Sequence, residues 1–217
     1  MASVYDLKPK FQDLLRPMVR RLAAAGTTAN QVTIAALLLS VATGVCIGVW
    51  PSKPWPLLLI PIALLVRMAL NAIDGMLARE FNQKSRLGAV LNELGDVLSD
   101  ITLYLPLALV PSVNATAIVI FVISSIVVEF VGVVAIQIDR PRQYAGPMGK
   151  SDRAFWVGLL AVLLAFQWIR PPVTSFYLSA LIFLAGWTVI NRAWRSLVSH
   201  PSATTNLELE TRTDDPH

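Results

Sequence analysis

Cysteine and charge are what this sequence has least of. Its 217 residues include one cysteine, Cys46, so no disulfide can form within the chain and a metal site built on paired cysteines is excluded. Cys46 sits in an apolar run and reads as small apolar filler. Only 15% of the residues are charged while 55% are hydrophobic, and the mean hydropathy is +0.60. That leaves too little polar surface for a water-soluble domain of this length. Internal repeats are absent. Residues 1–26 are basic, are interrupted by Pro9 and Pro17, and lack an early apolar stretch, so they do not read as a cleavable export signal.

What is present is a series of apolar runs. Crossing a hydrocarbon core of about 30 Å takes about 20 helical residues. Six stretches qualify, at residues 32–50, 55–78, 87–110, 115–138, 155–168 and 173–190, the fifth being the shortest. Turn-like connectors at 51–54, 111–114 and 170–172 fall on one side, and longer ones at 80–86 and 139–153 on the other. Placing both termini with the longer connectors gathers 15 of the 18 lysines and arginines there, leaves Lys53 and Arg170 opposite, and leaves Arg67 inside a span. Positive charge stays on the cytoplasmic side of a membrane. The expectation is an all-α polytopic protein of the inner membrane of a bacterium, with six transmembrane helices and both termini cytoplasmic.

Ahead of the first span, Phe11, Leu14, Leu15, Met18, Val19 and Leu22 recur at helical spacing beside Lys10, Arg16, Arg20 and Arg21. This pattern predicts an amphipathic helix lying on the anionic inner leaflet. The chain thus divides into an interfacial helix (1–26), a six-helix domain (27–198) and a polar tail (199–217) expected to be disordered.

Ionisable residues inside spanning helices are costly and mark candidate functional sites. The second run carries Arg67, Asn71, Asp74, Gly75, Ala78 and Arg79, and the third Gly88, Asn92, Glu93, Asp96 and Asp100. At about 100° per residue each set falls on one helical stripe. Two facing stripes would make a polar cleft open to the cytoplasm. At 1.5 Å per residue, Asn71, Asp74, Asn92 and Asp96 come out at roughly one depth, about 8–15 Å in, with Arg67, Asp100 and Glu129 at about 16–21 Å. An unpaired charge at the deeper level would be expensive, so Arg67 is expected to pair with Asp100 or Glu129. Carboxylate and amide oxygens at the upper level suit a hard cation, Mg²⁺ or Mn²⁺, rather than zinc. Gly75, Ala78 and Gly88 leave room either for a ligand or for close helix packing.

Asp74-Gly75, Ala78-Arg79, Gly88, Asn92 and Asp96 resemble, without a gap, the CDP-alcohol phosphotransferase signature D-x2-D-G-x2-A-R-x8-G-x3-D-x3-D. The polar stretch at 27–33 is similar to the approach to the first helix in that family. The resemblance covers the chain to about residue 195. It implies a membrane-embedded phosphotransferase of phospholipid biosynthesis, moving a phosphatidyl group from a CDP-linked donor such as CDP-diacylglycerol to an alcohol with release of CMP. By the same resemblance, one or two Mg²⁺ or Mn²⁺ ions would be held by Asp74 and Asp96 with Asn71 and Asn92. Asp96 would be the base or a metal ligand, Arg79 would hold a donor phosphate, and Gly75, Ala78 and Gly88 would line the nucleotide pocket. Partners would be the donor lipid, an alcohol acceptor and the bilayer; a homodimer is compatible with this reading, and no nucleic acid is expected.

Two signature aspartates are replaced here, by Asn71 and Asn92. Asparagine keeps a carbonyl oxygen and loses the charge, which weakens a two-metal site; Glu93 and Asp100 are the carboxylates placed to compensate. The readings left open are an active branch with a rearranged metal site, one metal in place of two, and a degenerate protein that binds a nucleotide-lipid without turning it over. An ion- or proton-coupled transporter is the remaining alternative, against which stands the absence of an inverted repeat. Arg140, Arg142, Lys150 and Arg153 could hold a phosphorylated acceptor, or could reflect the cytoplasmic charge bias alone.

Overall fold

In the computed structural model, residues 4–198 are described, with side chains from residue 11 onward; the tail expected to be disordered lies outside the described residues. Seven helices follow one another: α1 (Val4–Ala24), α2 (Ala29–Val49), α3 (Trp55–Glu80), α4 (Arg86–Tyr104), α5 (Ala115–Val134), α6 (Lys150–Ala165) and α7 (Pro171–Val198). Short 3-10 segments, Leu105–Leu109 and Ala135–Ile138, prolong α4 and α5. The helix starts are set by local chemistry. Thr28 Oγ1 accepts the Gln31 N–H at 3.2 Å while Gln31 Oε1 accepts the Thr28 N–H at 2.9 Å, a reciprocal cap that satisfies two donors with no helical partner. Ser85 and Asn114 cap α4 and α5 through the N–H groups of Gly88 and Ala117.

Four helices are long and apolar enough to cross a membrane: α2, α3, α5 with its 3-10 extension (Ala115–Ile138), and α7. The six expected from the sequence are therefore four by length and composition. Helix α4 is diluted by Asn92, Glu93, Asp96 and Asp100, and α6 has 16 residues, or about 24 Å of helix.

Helix α1 runs unbroken through Pro17, as the helical spacing of residues 11–22 predicts. An interior proline costs a helix about 3 kcal/mol. Offsetting this, Val19 is fully buried and, with Leu15 and Leu22, packs on Ala29, Val32, Ile73, Met76 and Leu77. Leu14 and Met18, to one side of that face, stay exposed.

Helix α2 lies against α3 and α4, α3 against α6, and α5 against α7. Ile47, Ile60, Leu103, Tyr104, Phe121, Leu160 and Leu178 form the apolar centre. The α2–α4 contact is so close that a Cβ on Gly44 would stand 1.9 Å from the Thr102 carbonyl oxygen. The residue four positions on from Thr102 is Pro106, which has no N–H to give that oxygen. At this point α4 tightens into its 3-10 segment and the α2 backbone moves in beside it.

Candidate active site

The polar residues of α3 and α4 do meet, joined by groups from α2, α5, α6, α7 and the segment before α6. Asp74 is buried on α3, and its Oδ2 accepts a 2.8 Å hydrogen bond from Thr33 Oγ1 of α2. The connector from α3 to α4 is tied to the start of α2: Gln83 Oε1 accepts the Ala29 N–H at 2.7 Å and Gln83 Nε2 donates to the Thr27 carbonyl at 3.3 Å. The polar stretch at 27–33 thus ties down both the α3–α4 connector and the buried carboxylate.

Deeper in the bundle, Arg67 Nη2 lies 2.7 Å from Asp100 Oδ1 and 3.9 Å from Asp96 Oδ1, and donates to the Asp96 carbonyl at 3.2 Å. Arg153, 1% exposed, donates from Nε and Nη2 to Asp100 Oδ2 (3.2 and 2.9 Å), from Nη2 to Glu129 Oε1 (2.8 Å), and from Nη1 to the Met148 carbonyl (3.1 Å). Glu129 Oε2 accepts from Arg142 Nη2 at 3.0 Å and stands 3.7 Å from Arg192 Nη1. Arg142 also pairs with Glu93, and Lys150 Nζ with Asp96 Oδ1. Each arginine at this depth meets at least one carboxylate, the condition under which a buried charge is tolerated.

The loop before α6 holds Arg142 in place. Gly146 has φ +120°, open to glycine and strained for other residues, and a Cβ there would lie 2.5 Å from Thr188 Cγ2. Two residues on, the Met148 N–H donates to Thr188 Oγ1 at 3.0 Å. Arg192 closes the arrangement by donating to the carbonyls of Val128 (2.7 Å) and Ala145 (3.2 Å).

Several residues singled out by the sequence are engaged by other side chains here. Glu93 and Asp100, the compensating carboxylates, are engaged by Arg142 and by Arg67 with Arg153. Arg142 and Arg153, considered for the acceptor, are held by carboxylates. Arg140 is half-buried in the same loop. Arg79 is exposed and folds over Gly75, whose Cβ would lie 3.1 Å from the Arg79 Nη2. Ala78 packs with the α1–α2 cluster, and a Cβ on Gly88 would meet Asn30 Oδ1 at 2.9 Å. Thr33, Tyr104 and Arg192 were not singled out as site residues by their spacing. Arg192 lies two residues beyond the last apolar run at 173–190 and counted there only toward the cytoplasmic charge bias.

Between α3 and α6 opens a cavity of about 570 Å³. Its polar end holds Arg67, Asn71, Asp100, Lys150 and Ser151. The rest of its lining is mainly apolar, including Leu64, Leu65, Met68, Phe155 and Val162. Tyr104 also lines it, and its buried hydroxyl has no hydrogen-bond partner among the described residues. A molecule with a charged head and an apolar body fits this shape.

The sequence model of one family, CDP-alcohol phosphatidyltransferase, matches residues 26–193. The chain belongs to that family. The inner membrane protein YnbA of Escherichia coli (strain K12) is 48% identical over 192 residues, covering 88% of this chain and 94% of that one. Among solved structures, the fold resembles the phosphatidylinositol phosphate synthase PgsA1 of Mycobacterium tuberculosis with CDP-DAG bound, at TM-score 0.70 and 23% identity over 87% of this chain and 95% of that one. The same enzyme in complex with manganese and citrate also matches at 0.70, with 23% identity over 87% of this chain and 90% of that one. The polytopic helical membrane fold is that of the CDP-alcohol phosphatidyltransferases.

The manganese complex is of a protein with the same fold. Asp74 is the one carboxylate of the cluster with no ion pair among the described residues, and Asn71 and Asn92 on the two stripes offer neutral amide oxygens. Asp96 is taken by Lys150 and lies near Arg67. No group of three or more His, Cys, Asp or Glu side chains placed to hold a metal occurs among the described residues. Oxygen ligands of this kind suit a hard divalent ion.

Proposed function

We propose that the protein is a phosphotransferase that takes a phosphatidyl group from CDP-diacylglycerol or a related CDP-linked lipid and passes it to an alcohol, releasing CMP. The observation that carries this reading is the cavity between α3 and α6, mainly apolar and charged at the end lined by Arg67, Asp100 and Lys150. It would seat the acyl part of the donor against Leu64, Leu65, Met68 and Phe155, with the phosphates at the level of Asn71 and Lys150. Arg79, exposed above Gly75, would meet the nucleotide side. In this orientation α4 and α6 cross the membrane with the other four, the termini are cytoplasmic, and the chain sits in a bacterial inner membrane, as the name of its Escherichia coli relative says of that protein.

The acceptor hydroxyl attacks the phosphorus on the lipid side. A new P–O bond to the alcohol forms, the bridging P–O bond breaks, and its electron pair leaves with CMP. Asp96 takes the hydroxyl proton, the role a carboxylate beside the reacting oxygen can fill. Asp74, held by Thr33, with the amide oxygens of Asn71 and Asn92, would bind one Mg²⁺ or Mn²⁺. Such an ion supplies charge neutralisation of the pyrophosphate and stabilises the leaving group. The buried lattice of Arg67, Arg153, Asp100 and Glu129 keeps α3, α4, α5 and α6 in register around the reacting groups.

Purified protein given radiolabelled CDP-diacylglycerol, Mg²⁺ or Mn²⁺ and a panel of alcohols should release CMP, and Asp96→Ala should abolish the release. Absence of CMP with every acceptor would reject turnover. The pairing of Asp96 with Lys150 favours one second reading, a protein that binds the nucleotide-lipid without transfer. It would appear as thermal stabilisation by CDP-diacylglycerol without CMP release.

A further inference from the structure

Five carboxylates, Asp74, Glu93, Asp96, Asp100 and Glu129, stand in the cluster with five cations, Arg67, Arg142, Lys150, Arg153 and Arg192. The protein's own side chains therefore bring the cluster to neutrality. Four of these cations are arginines with side chains 1–16% exposed, anchored to carboxylates or backbone carbonyls. Lys150 differs. Its side chain is 34% exposed, it begins α6, and it also lines the polar end of the cavity. It therefore touches a carboxylate on one side and faces the space for a ligand's phosphate on the other. A lysine ammonium is a compact point charge on a flexible stem, which suits both contacts.

We propose that Lys150 is a tethered cation that takes the place of a second metal ion, neutralising Asp96 and reaching the lipid-side phosphate of the donor at the head of the cavity. This inference rests on the phosphotransferase reading for the identity of the phosphate, and on the geometry alone for the competition with a metal. It gives a physical account of Asn71 and Asn92: with a cation supplied by the chain, two further aspartates would leave the cluster with excess negative charge. It also predicts a division of labour. Asp74 keeps its oxygens for one external ion, while Asp96 is shielded from a second by an ammonium that cannot diffuse away.

The test uses Mn²⁺ alone, without lipid, added to the full-length protein in detergent micelles, with free Mn²⁺ followed by its electron paramagnetic resonance signal. The wild type should bind one ion. Lys150→Met should bind a second, or bind Mn²⁺ about tenfold or more tightly, because removing a unit charge within about 5 Å of a cation changes affinity at least that much at a surface-like dielectric. Lys150→Arg should behave as the wild type, and Lys150→Gln repeats the neutral case should the methionine variant fold poorly. Unchanged Mn²⁺ binding in both neutral variants, two ions in the wild type, or an equal gain in Lys150→Arg would each overturn the proposal. CMP release measured in parallel separates the two claims. Its absence from every variant rejects the phosphotransferase reading, while the Mn²⁺ shift stands or falls independently.

Discussion

Replacing Arg153 by leucine removes the guanidinium that joins α4, α5 and α6. The side chain is 1% exposed and satisfies Asp100 Oδ2 at 2.9 Å, Glu129 Oε1 at 2.8 Å and the Met148 carbonyl at 3.1 Å. Without it, Asp100 keeps Arg67 at 2.7 Å, and Glu129 keeps Arg142 at 3.0 Å and Arg192 at 3.7 Å. Each carboxylate retains at least one partner, yet each loses the donor shared between them. Removing one member of a buried ion pair costs about 3–5 kcal/mol, and the remaining partners place the expected loss near the lower end, about 3 kcal/mol. For a chain of this size that corresponds to a fall of roughly 6–12 °C in Tm. Thermal unfolding in detergent, followed by circular dichroism or a thiol-reactive dye at Cys46, measures it. The double variant Arg153→Leu with Glu129→Gln removes the charge left behind and should recover about 1 kcal/mol or more, the scale of coupling between residues in one network. Arg153→Lys should not substitute, since one ammonium lacks the planar fork that reaches two carboxylates and a carbonyl. A Tm within about 2 °C of wild type for Arg153→Leu, less than the shift that 1 kcal/mol would produce, would refute the view that this lattice holds the bundle together.

Gly44→Ala should destabilise the fold by about 2 kcal/mol or more, because the added Cβ meets a backbone oxygen at 1.9 Å and overpacking of this kind typically costs 1–3 kcal/mol; the same melting assay checks it. Thr33→Val removes the hydrogen bond to Asp74 with little change in shape, and should lower CMP release about tenfold, the equivalent of one hydrogen bond to a charged group, with Tm falling by only a few degrees. Restoring aspartate at Asn71 and Asn92 should raise Mn²⁺ affinity, and should do so more strongly in the Lys150→Met background than in the wild type, as a paired Mn²⁺ titration would show.

Much of the architecture was legible along the chain because the bilayer imposes a simple length and polarity filter. Residues 55–78 and 115–138 and the run beginning at 173 became α3, α5 with its extension, and α7. The limits of that filter appear in α4, whose stripe of Asn92, Glu93, Asp96 and Asp100 dilutes its apolar content, and in α6, whose cytoplasmic end starts at Lys150. The signature spacing was legible for the same local reason, since residues three and four apart share a helix face. Helical periodicity put Asp74 with Asn71 and Asp96 with Asn92 before any contact was known.

Partner choice was not written there. Periodicity states which face a charge occupies and depth states its level, but neither says which opposite charge arrives from another helix. The polar stretch from Asn71 to Asp100, and its two missing aspartates, followed from the sequence by itself. Only the packing of α6 against α3 brought Lys150 to Asp96 and Arg153 to Asp100, across 54 and 53 positions of chain. Pairing energies at such separations depend on distances of a few ångströms between helices, set by the whole apolar core and by close approaches such as that at Gly44.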